Sequence, residues 1–233
     1  MAAIPFSMRI AAVIFDLDGV LIDSEGLWDA ARRHVASEHG GRWTEDATQA
    51  MIGMSSTEWS AYMHDHLGVH GPPQRISDEV VSRLQALYRQ KLPLLPGARE
   101  AVIALSGRWP LGLASSANRP IIELVLDLAG LSDRFVATVS SEEVPRGKPA
   151  PDVYLEAARR LGVESELSAA VEDSANGIRS AVAAGMTVIA VPNREFPPSA
   201  DALVLAQEVI GSLSELTIAR VRDAAKQRSA PAG

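Results

Sequence analysis

The hydrophobic and polar positions follow two different patterns along the chain. Residues 10–15 form a short apolar run rich in Val and Ile, which is typical of a buried strand. From residue 25 to residue 92 the apolar positions recur at helical spacing, and no strand pattern occurs there. The Pro- and Gly-containing segment 92–97 follows, and beyond it short apolar runs alternate with amphipathic helical segments.

This alternation predicts an α/β fold with a doubly wound, Rossmann-like parallel sheet and helices on both of its faces. Strands are expected at residues 10–15, 111–114, 135–139, 169–171 and 187–191, with an edge strand near 202–205. Helices are expected at residues 98–105, 120–130, 152–161 and 175–184, followed by a last amphipathic helix with Leu213, Leu216 and Val221.

The helical block interrupts the α/β pattern directly after the first strand, so we interpret it as an inserted domain. The expected domains are a catalytic core of residues 1–24 and 93–226 and a helical cap of residues 25–92. Residues 227–233 are expected to be a disordered tail. Three of the four tryptophans, Trp28, Trp43 and Trp59, fall in the cap, and their helical spacing favours a place in its core over contact with a substrate.

Composition narrows the possible functions. Lys and Arg number 22 against 29 Asp and Glu, which gives a net charge of −7, and no basic tract occurs, so a nucleic-acid partner is not expected. The chain has no cysteine, which excludes disulfides, thiolate metal sites and a cysteine nucleophile. No segment has the length and apolar character of a signal peptide or membrane helix, so we expect a cytoplasmic protein, a monomer or small homo-oligomer.

Polar side chains follow the first four core strands. The carboxyl ends of neighbouring strands in a doubly wound sheet meet at one cleft, where ligands bind. Each group alone has an ordinary explanation, such as a helix cap or a solvated loop lysine, but that explanation does not account for the whole set. The candidates, in chain order, are Asp16 and Asp18, Ser115 and Ser116, Lys148, and Glu172 and Asp173.

The charges of these groups predict what the cleft binds. Four carboxylates in a poorly solvated cleft repel one another unless cations are present. Mg²⁺ together with Lys148 would supply the missing positive charge, because carboxylate oxygens are ligands that Mg²⁺ prefers. The helix that begins after Ser115 and Ser116 would bind a phosphate through its free N–H groups and the Ser hydroxyls.

These segments resemble the four motifs of the haloacid dehalogenase-like superfamily, in particular its β-phosphoglucomutase/phosphoglycolate-phosphatase branch, which carries a helical cap after the first strand. The resemblance covers about residues 8–225. The matching stretches read Asp-Leu-Asp-Gly-Val from Asp16, Ser115-Ser116, Gly-Lys-Pro around Lys148, and Val-Glu-Asp-Ser around Glu172.

The resemblance implies a mechanism for a small-molecule phosphate ester. Asp16 would be the nucleophile that forms an aspartyl-phosphate, and Asp18 would be the general acid and then the general base. Ser115, Ser116 and Lys148 would bind the phosphoryl oxygens. The implied Mg²⁺ ligands are Asp16, the backbone carbonyl of Asp18, Asp173, and Glu172 in or beside the same shell.

Among the reactions of this superfamily, phosphomonoester hydrolysis is the leading prediction. Dehalogenases lack the second acid, which is present here as Asp18. The mutase pattern has Gly-x-Ser-Arg in the cap and a His shortly after the first motif, whereas this chain has Gly-Met-Ser-Ser at 53–56 and Glu-Gly-Leu-Trp at 25–28. Arg75 or Lys91 could replace the missing Arg, so a phosphosugar mutase remains the alternative. A non-catalytic phosphate-binding protein is less favoured, because both acids of the first motif are present.

Overall fold

A computed structural model describes residues 9–193 and 197–228 of the chain. Its strands are β1 (Ala12–Phe15), β2 (Leu111–Ser115), β3 (Phe135–Ser140), β4 (Ser168–Glu172), β5 (Thr187–Ala190) and β6 (Glu208–Val209). They form one sheet in the order β3-β2-β1-β4-β5-β6, and every pairing is parallel. The chain therefore winds outward from β1 in both directions, which confirms the predicted doubly wound sheet.

Ten α-helices lie in the described part of the chain. They are α1 (Glu25–Glu38), α2 (Ala47–Met51), α3 (Ser56–Asp65), α4 (Pro73–Gln90), α5 (Ala98–Ser106), α6 (Arg119–Ala129), α7 (Asp152–Leu161), α8 (Ala175–Ala183), α9 (Ala200–Leu203) and α10 (Ile218–Arg228). Helix α3 begins with a capping box, in which Ser55 and Glu58 satisfy each other's backbone N–H groups. The predicted end of α6 is confirmed by Gly130, which adopts the left-handed conformation.

Alternate side chains of the sheet face opposite helical layers. Val13 and Phe15 of β1 belong to a buried cluster with residues of α5, α6 and α10. Ile14, between them, belongs to a second cluster with residues of α7 and α8. Since both faces of the sheet are covered, β1 is apolar at every position, as the sequence pattern requires.

Helices α1–α4 are all inserted between β1 and α5, and residues 25–92 contain no strand. The two chain segments that lead into and out of this block pair with each other: Ile22 forms an antiparallel bridge with Leu94, and the Asp23 N–H donates to the Pro93 carbonyl at 2.8 Å. Buried side chains of the block, such as Trp59 and Leu84, share one cluster with the sheet face. Whether residues 25–92 behave as a separate domain stays a prediction.

The predicted ends of the chain need two corrections. The expected edge strand at 202–205 is wrong, because these residues fall at the end of helix α9 and just after it, and the edge strand is β6 instead. The predicted tail is partly wrong, because α10 continues through residues 227 and 228. Residues 229–233, like residues 1–8 of the predicted core, lie outside the described residues. None of the described helices combines the length and apolarity that a membrane crossing needs.

Candidate active site

The order of the strands brings the predicted polar residues to one edge of the sheet. Asp16 follows β1, while Glu172 is the last residue of the neighbouring β4 and Asp173 comes directly after it. Lys148 comes from the loop after β3. All four side chains are almost fully buried, at 7% exposure or less. The structure therefore brings together four of the candidates that lie far apart in the sequence.

Lys148 joins two of these carboxylates. Its ammonium lies 2.5 Å from Glu172 Oε1 and 3.0 Å from Asp16 Oδ2. Burial by itself would lower the pKa of Lys148, but Asp16 and Glu172 outweigh that effect and raise the pKa above its usual range. Lys148 is therefore a permanent positive charge in the site.

Glu172 has no free lone pair to offer a ligand. Its Oε1 accepts hydrogen bonds from Lys148 and from the hydroxyl of Tyr154, at 2.5 and 2.9 Å. Its Oε2 accepts from the Asp173 N–H, the Ser174 N–H and the Ser174 hydroxyl, at 3.0–3.2 Å. Burial alone would raise the pKa of Glu172, but Lys148 and these donors lower it, so the carboxylate is ionised. This geometry makes Glu172 the support of Lys148 and of the loop before α8.

Asp16 and Asp173 remain short of positive charge. Burial is the largest factor that raises the pKa of both carboxyls, and the nearby Glu172 raises it further, while Lys148 opposes the rise. One oxygen from each of Asp16, Glu172 and Asp173 lies within 4.8 Å of the other two. Three buried carboxylates face one buried ammonium, and the oxygens of Asp16 and Asp173 are donors of the kind that Mg²⁺ prefers, so the site fits a divalent cation.

Two glycines make this close packing possible. Gly19 has φ +73°, and a Cβ there would lie 1.8 Å from Asp173 Oδ2. Gly177, in the first turn of α8, has no unusual φ, but a Cβ there would lie 1.8 Å from Glu172 Oε1. Any side chain at either position would displace an acidic residue of the site.

Asp18 lies apart from the three clustered carboxylates and contacts the helical block. Its Oδ1 accepts hydrogen bonds from the Ser24 hydroxyl at 2.5 Å and from Trp28 Nε1 at 3.0 Å. Ser24 and Trp28 belong to the N-terminal end of α1. The second acid of the first motif is thus held by the inserted helices, whereas Asp16 is held by the sheet.

The two candidate serines have different surroundings. Ser115, at the end of β2, is fully buried, and its hydroxyl accepts from the Ala117 N–H at 3.0 Å. The structure does not place Ser115 among the residues that line the cavity, whereas Ser116 does line it. The Ser116 hydroxyl also donates to the Gly53 carbonyl, after α2, at 3.2 Å.

A cavity of about 420 Å³ lies between the sheet edge and the helical block, within the size range of small-molecule sites. Its sheet side presents Asp16, Asp18, Ser116, Lys148 and Asp173. Its helical side presents four residues of α1 and α3, namely Glu25, Trp28, Arg32 and Trp59. The two tryptophans are buried, as expected, but they also line the cavity, which the sequence interpretation had considered the less favoured alternative.

Arg32 and Glu25 are charged residues that the sequence analysis missed. Arg32 is only 5% exposed, and its guanidinium carbon lies 5.0 Å and 5.1 Å from the ring centroids of Trp28 and Trp59. Burial raises the pKa of Glu25 to about 7, with Arg32 opposing the rise. A signal was available, because Arg32 occupies the apolar face of α1, where a charged residue is unusual.

Comparison with known proteins identifies the family. The sequence profile of the haloacid dehalogenase-like hydrolases matches residues 10–185. This chain belongs to that family. Within the matched residues of this haloacid dehalogenase-like hydrolase lie Asp16 and Asp18, Lys148, and Glu172 and Asp173.

Two relatives that are similar in sequence are named as phosphatases. The chain is 40% identical to "Hexitol phosphatase B" of Escherichia coli K12, over 90% of this chain and 95% of the relative. It is 34% identical to "Phosphorylated carbohydrates phosphatase" of Thermotoga maritima, over 75% and 82% of the two chains. The solved β-phosphoglucomutase of Clostridium difficile superposes with a TM-score of 0.82 at 24% identity, over 95% of this chain and 99% of that one, which shows the shared fold. The haloacid dehalogenase-like hydrolase described here is a phosphatase.

Proposed function

We propose that this phosphatase hydrolyses phosphate monoesters of small, polyhydroxylated metabolites such as sugar or hexitol phosphates, with Mg²⁺ as cofactor. The observation that carries the proposal is the convergence of Asp16, Lys148 and Asp173 on one cavity that also contains Asp18. Two relatives, hexitol phosphatase B and phosphorylated carbohydrates phosphatase, support the substrate class by the substrates in their names.

The cation would be held by the carboxylates of Asp16 and Asp173 together with the backbone carbonyl of Asp18. We place Glu172 beside this set, because its oxygens already accept five hydrogen bonds. When bound, Mg²⁺ would neutralise negative charge on the phosphoryl group as it transfers. Lys148 would add a second positive charge in the same region.

Asp16 would be the nucleophile. One of its carboxylate oxygens would attack phosphorus, so that a P–O bond to Asp16 forms while the bond to the ester oxygen breaks. Asp18 would give its proton to that departing oxygen. In the second step Asp18 would take a proton from water, whose oxygen attacks the phosphorus of the aspartyl-phosphate and releases inorganic phosphate and free Asp16.

The phosphoryl oxygens would be bound by Lys148 and by the loop between β2 and α6. Ser116 lines the cavity there and would contact the phosphate directly. Ser115 would act mainly on the shape of the loop, because its hydroxyl is buried against the Ala117 N–H. Residues 25–92 would act as the cap that covers the phosphate. The hydrogen bond from the Ser116 hydroxyl to the Gly53 carbonyl lies where this cap contacts the sheet side of the cavity.

The mutase alternative has less support. Arg75 and Lys91, the two residues that could replace the missing Arg of the mutase pattern, do not line the cavity. Arg75 is instead a largely exposed side chain paired with Glu79.

Phosphate release tests the proposed function. Wild-type protein would be incubated with hexitol phosphates, sugar phosphates and nucleotides, with Mg²⁺ or with a chelator. We expect Mg²⁺-dependent release that Asp16→Asn reduces by at least about 10³-fold. Asp133→Asn is the matched control, since Asp133 is a largely exposed surface residue. Asp16→Asn protein that retains turnover and an unchanged circular dichroism spectrum would remove Asp16 from the role of nucleophile.

A further inference from the structure

Glu25 and Arg32 line the cavity but have no part in the proposed phosphoryl transfer. Both lie on α1, seven positions apart, which is close to two helical turns and places them on the same side of the helix. They are on the wall that faces the sheet edge. Their positions point to a role in binding the rest of the substrate.

The Arg32 guanidinium is held in place but has no polar partner. It lies against the rings of Trp28 and Trp59, whose centroids are 5.9 Å apart. Among the described side chains it forms no ion pair or hydrogen bond, and its Nε is buried without a partner. A buried charge is normally paired, so this arrangement leaves hydrogen-bonding capacity for a ligand.

Glu25 supplies the opposite kind of hydrogen-bonding group. Electrostatic interaction couples it to Arg32, although the two do not form a direct ion pair. A guanidinium only donates hydrogen bonds, and a carboxylate only accepts them. A hydroxyl group does both, so a substrate with several hydroxyls can satisfy Arg32 and Glu25 together.

The charges around the cavity argue against a second anionic group. Of the charged residues that line its described part, four are acids and two are bases; they are Asp16, Asp18, Glu25 and Asp173, and Lys148 and Arg32. Lys148 is already paired with Asp16 and Glu172. An anion placed at Arg32 would be repelled by Glu25, whereas a neutral hydroxyl would not.

We propose that Arg32 and Glu25 bind the hydroxyl groups of the uncharged portion of the substrate, beside the rings of Trp28 and Trp59. This pair makes the enzyme prefer a polyhydroxylated monophosphate over a substrate with a second phosphate. The inference rests on the proposed function and adds to it the residues that select the substrate.

Equilibrium binding tests the proposal without requiring turnover. In an Asp16→Asn background, tryptophan fluorescence would be titrated with sorbitol 6-phosphate, inorganic phosphate and fructose 1,6-bisphosphate. We expect sorbitol 6-phosphate to bind more tightly than the other two. Arg32→Lys should weaken the binding of sorbitol 6-phosphate about 10- to 100-fold, which is the range for the loss of hydrogen bonds to a charged group. It should change the affinity for inorganic phosphate less than about twofold. The lysine side chain keeps the positive charge but lacks the planar array of N–H donors of the guanidinium.

Two further variants complete the design. Arg33→Lys is the matched control, because Arg33 is the next residue of α1, is exposed and pairs with Asp29. It should leave all three affinities unchanged. Glu25→Gln keeps the size of the side chain and should weaken the binding of sorbitol 6-phosphate about 3- to 10-fold. It also tests the proposal independently if Arg32→Lys disturbs folding, which circular dichroism would detect.

Three results would overturn the proposal. If Arg32→Lys protein keeps its preference for sorbitol 6-phosphate over inorganic phosphate, the N–H donors of the guanidinium are not needed for substrate selection. An equal loss of affinity for inorganic phosphate would make Arg32 part of phosphate binding. Tighter binding of the bisphosphate, lost in Arg32→Lys, would identify an anion site.

A kinetic comparison separates this inference from the proposed function. With Asp16 intact, Arg32→Lys should lower kcat/KM for sorbitol 6-phosphate by a much larger factor than kcat/KM for phenyl phosphate, whose leaving group carries no further hydroxyl. If neither ester is hydrolysed although the binding preference is present, the proposed function fails and the binding site stands. If both are hydrolysed without any preference, the binding site fails and the phosphatase stands.

Discussion

On the sheet side of the cavity the Glu172 carboxylate accepts five hydrogen bonds, whereas on the helical side the Arg32 guanidinium has no hydrogen-bond or ion-pair partner among the described residues. Both groups are buried and charged. Glu172 is satisfied within the protein, by Lys148 and the loop before α8. For Arg32 we propose that the substrate is the partner. In this proposal the difference separates the groups that carry out chemistry from the groups that select the substrate, and it can be tested from each side.

The sheet side should be the more sensitive to a small change. Gly177→Ala would place a methyl group 1.8 Å from Glu172 Oε1, so Glu172 or α8 must move and Lys148 loses its support. We expect kcat to fall at least about 100-fold, although Ala in a helix is by itself more stable than Gly by about 1 kcal/mol. Gly26→Ala in α1 is the control, since no atom lies within 4 Å of its added Cβ. Normal kcat in Gly177→Ala would contradict the rigid packing of the sheet side.

Cation binding gives the second largest expected effect. Mg²⁺ would relieve the repulsion between Asp16 and Asp173, so it should raise the Tm of the wild-type protein. At a concentration of about 100 Kd the added stability is about 2.7 kcal/mol. Asp173→Asn should lose most of this shift and Asp133→Asn should keep it, as measured by thermal unfolding with and without Mg²⁺. An equal shift in Asp173→Asn would place the cation elsewhere.

Trp28 connects the two sides. Its Nε1 donates to Asp18 at 3.0 Å while its ring lies against Arg32. Trp28→Phe keeps an aromatic ring and loses the donor, so we expect about a 10-fold loss of kcat. Trp43→Phe, elsewhere in the helical block, should have no such effect. Unchanged kcat in Trp28→Phe would mean that Ser24 alone orients Asp18.

The smallest effect concerns the pH dependence of stability. The pKa of Glu25 rises on folding from 4.5 to about 7, so between these values the folded protein binds more protons than the unfolded chain. The contribution of Glu25 to stability is therefore present at low pH and lost as the pH rises through this window. Unfolding by urea should show a smaller loss of stability with rising pH in Glu25→Gln than in wild type. Glu45→Gln, at an exposed position, should match wild type.

This expectation depends on the charges around Glu25. Arg32 lowers its pKa, and the carboxylates of Asp18, Asp23 and Asp29 raise it, after the larger effect of burial. Identical pH profiles for Glu25→Gln and wild type would mean that water reaches Glu25 freely.

Errors in the sequence-based prediction occurred where local patterns are ambiguous. Residues 202–205 are a short apolar run, which periodicity alone cannot assign to a strand or a helix. They fall at the end of α9, and β6 forms instead where the Gln207 and Ile210 N–H groups reach the carbonyls of β5. The apolar runs that form β1 to β5 were placed correctly, because buried parallel strands are apolar at nearly every position.

The proposed site residues Asp16 and Asp173 were predictable because each directly follows a strand. Asp16 and Asp173 could be assigned to one cleft from strand order alone. The sequence could not show that Glu172 would be saturated by hydrogen bonds, or that the Ser115 hydroxyl would be buried against the Ala117 N–H. Those outcomes depend on side-chain directions within the folded site.

The sequence by itself determined the α/β fold, the inserted helical block, and the acids and lysine at the strand ends. Hydrophobic periodicity and the sequence motifs are local properties that can be read along the chain. Only the tertiary structure placed Arg32 and Glu25 opposite the sheet edge and left Arg32 without a polar partner among the described residues. The physical reason is that the partners of a side chain on an inserted helix depend on how the block packs against the sheet, and that packing involves residues far away in the chain.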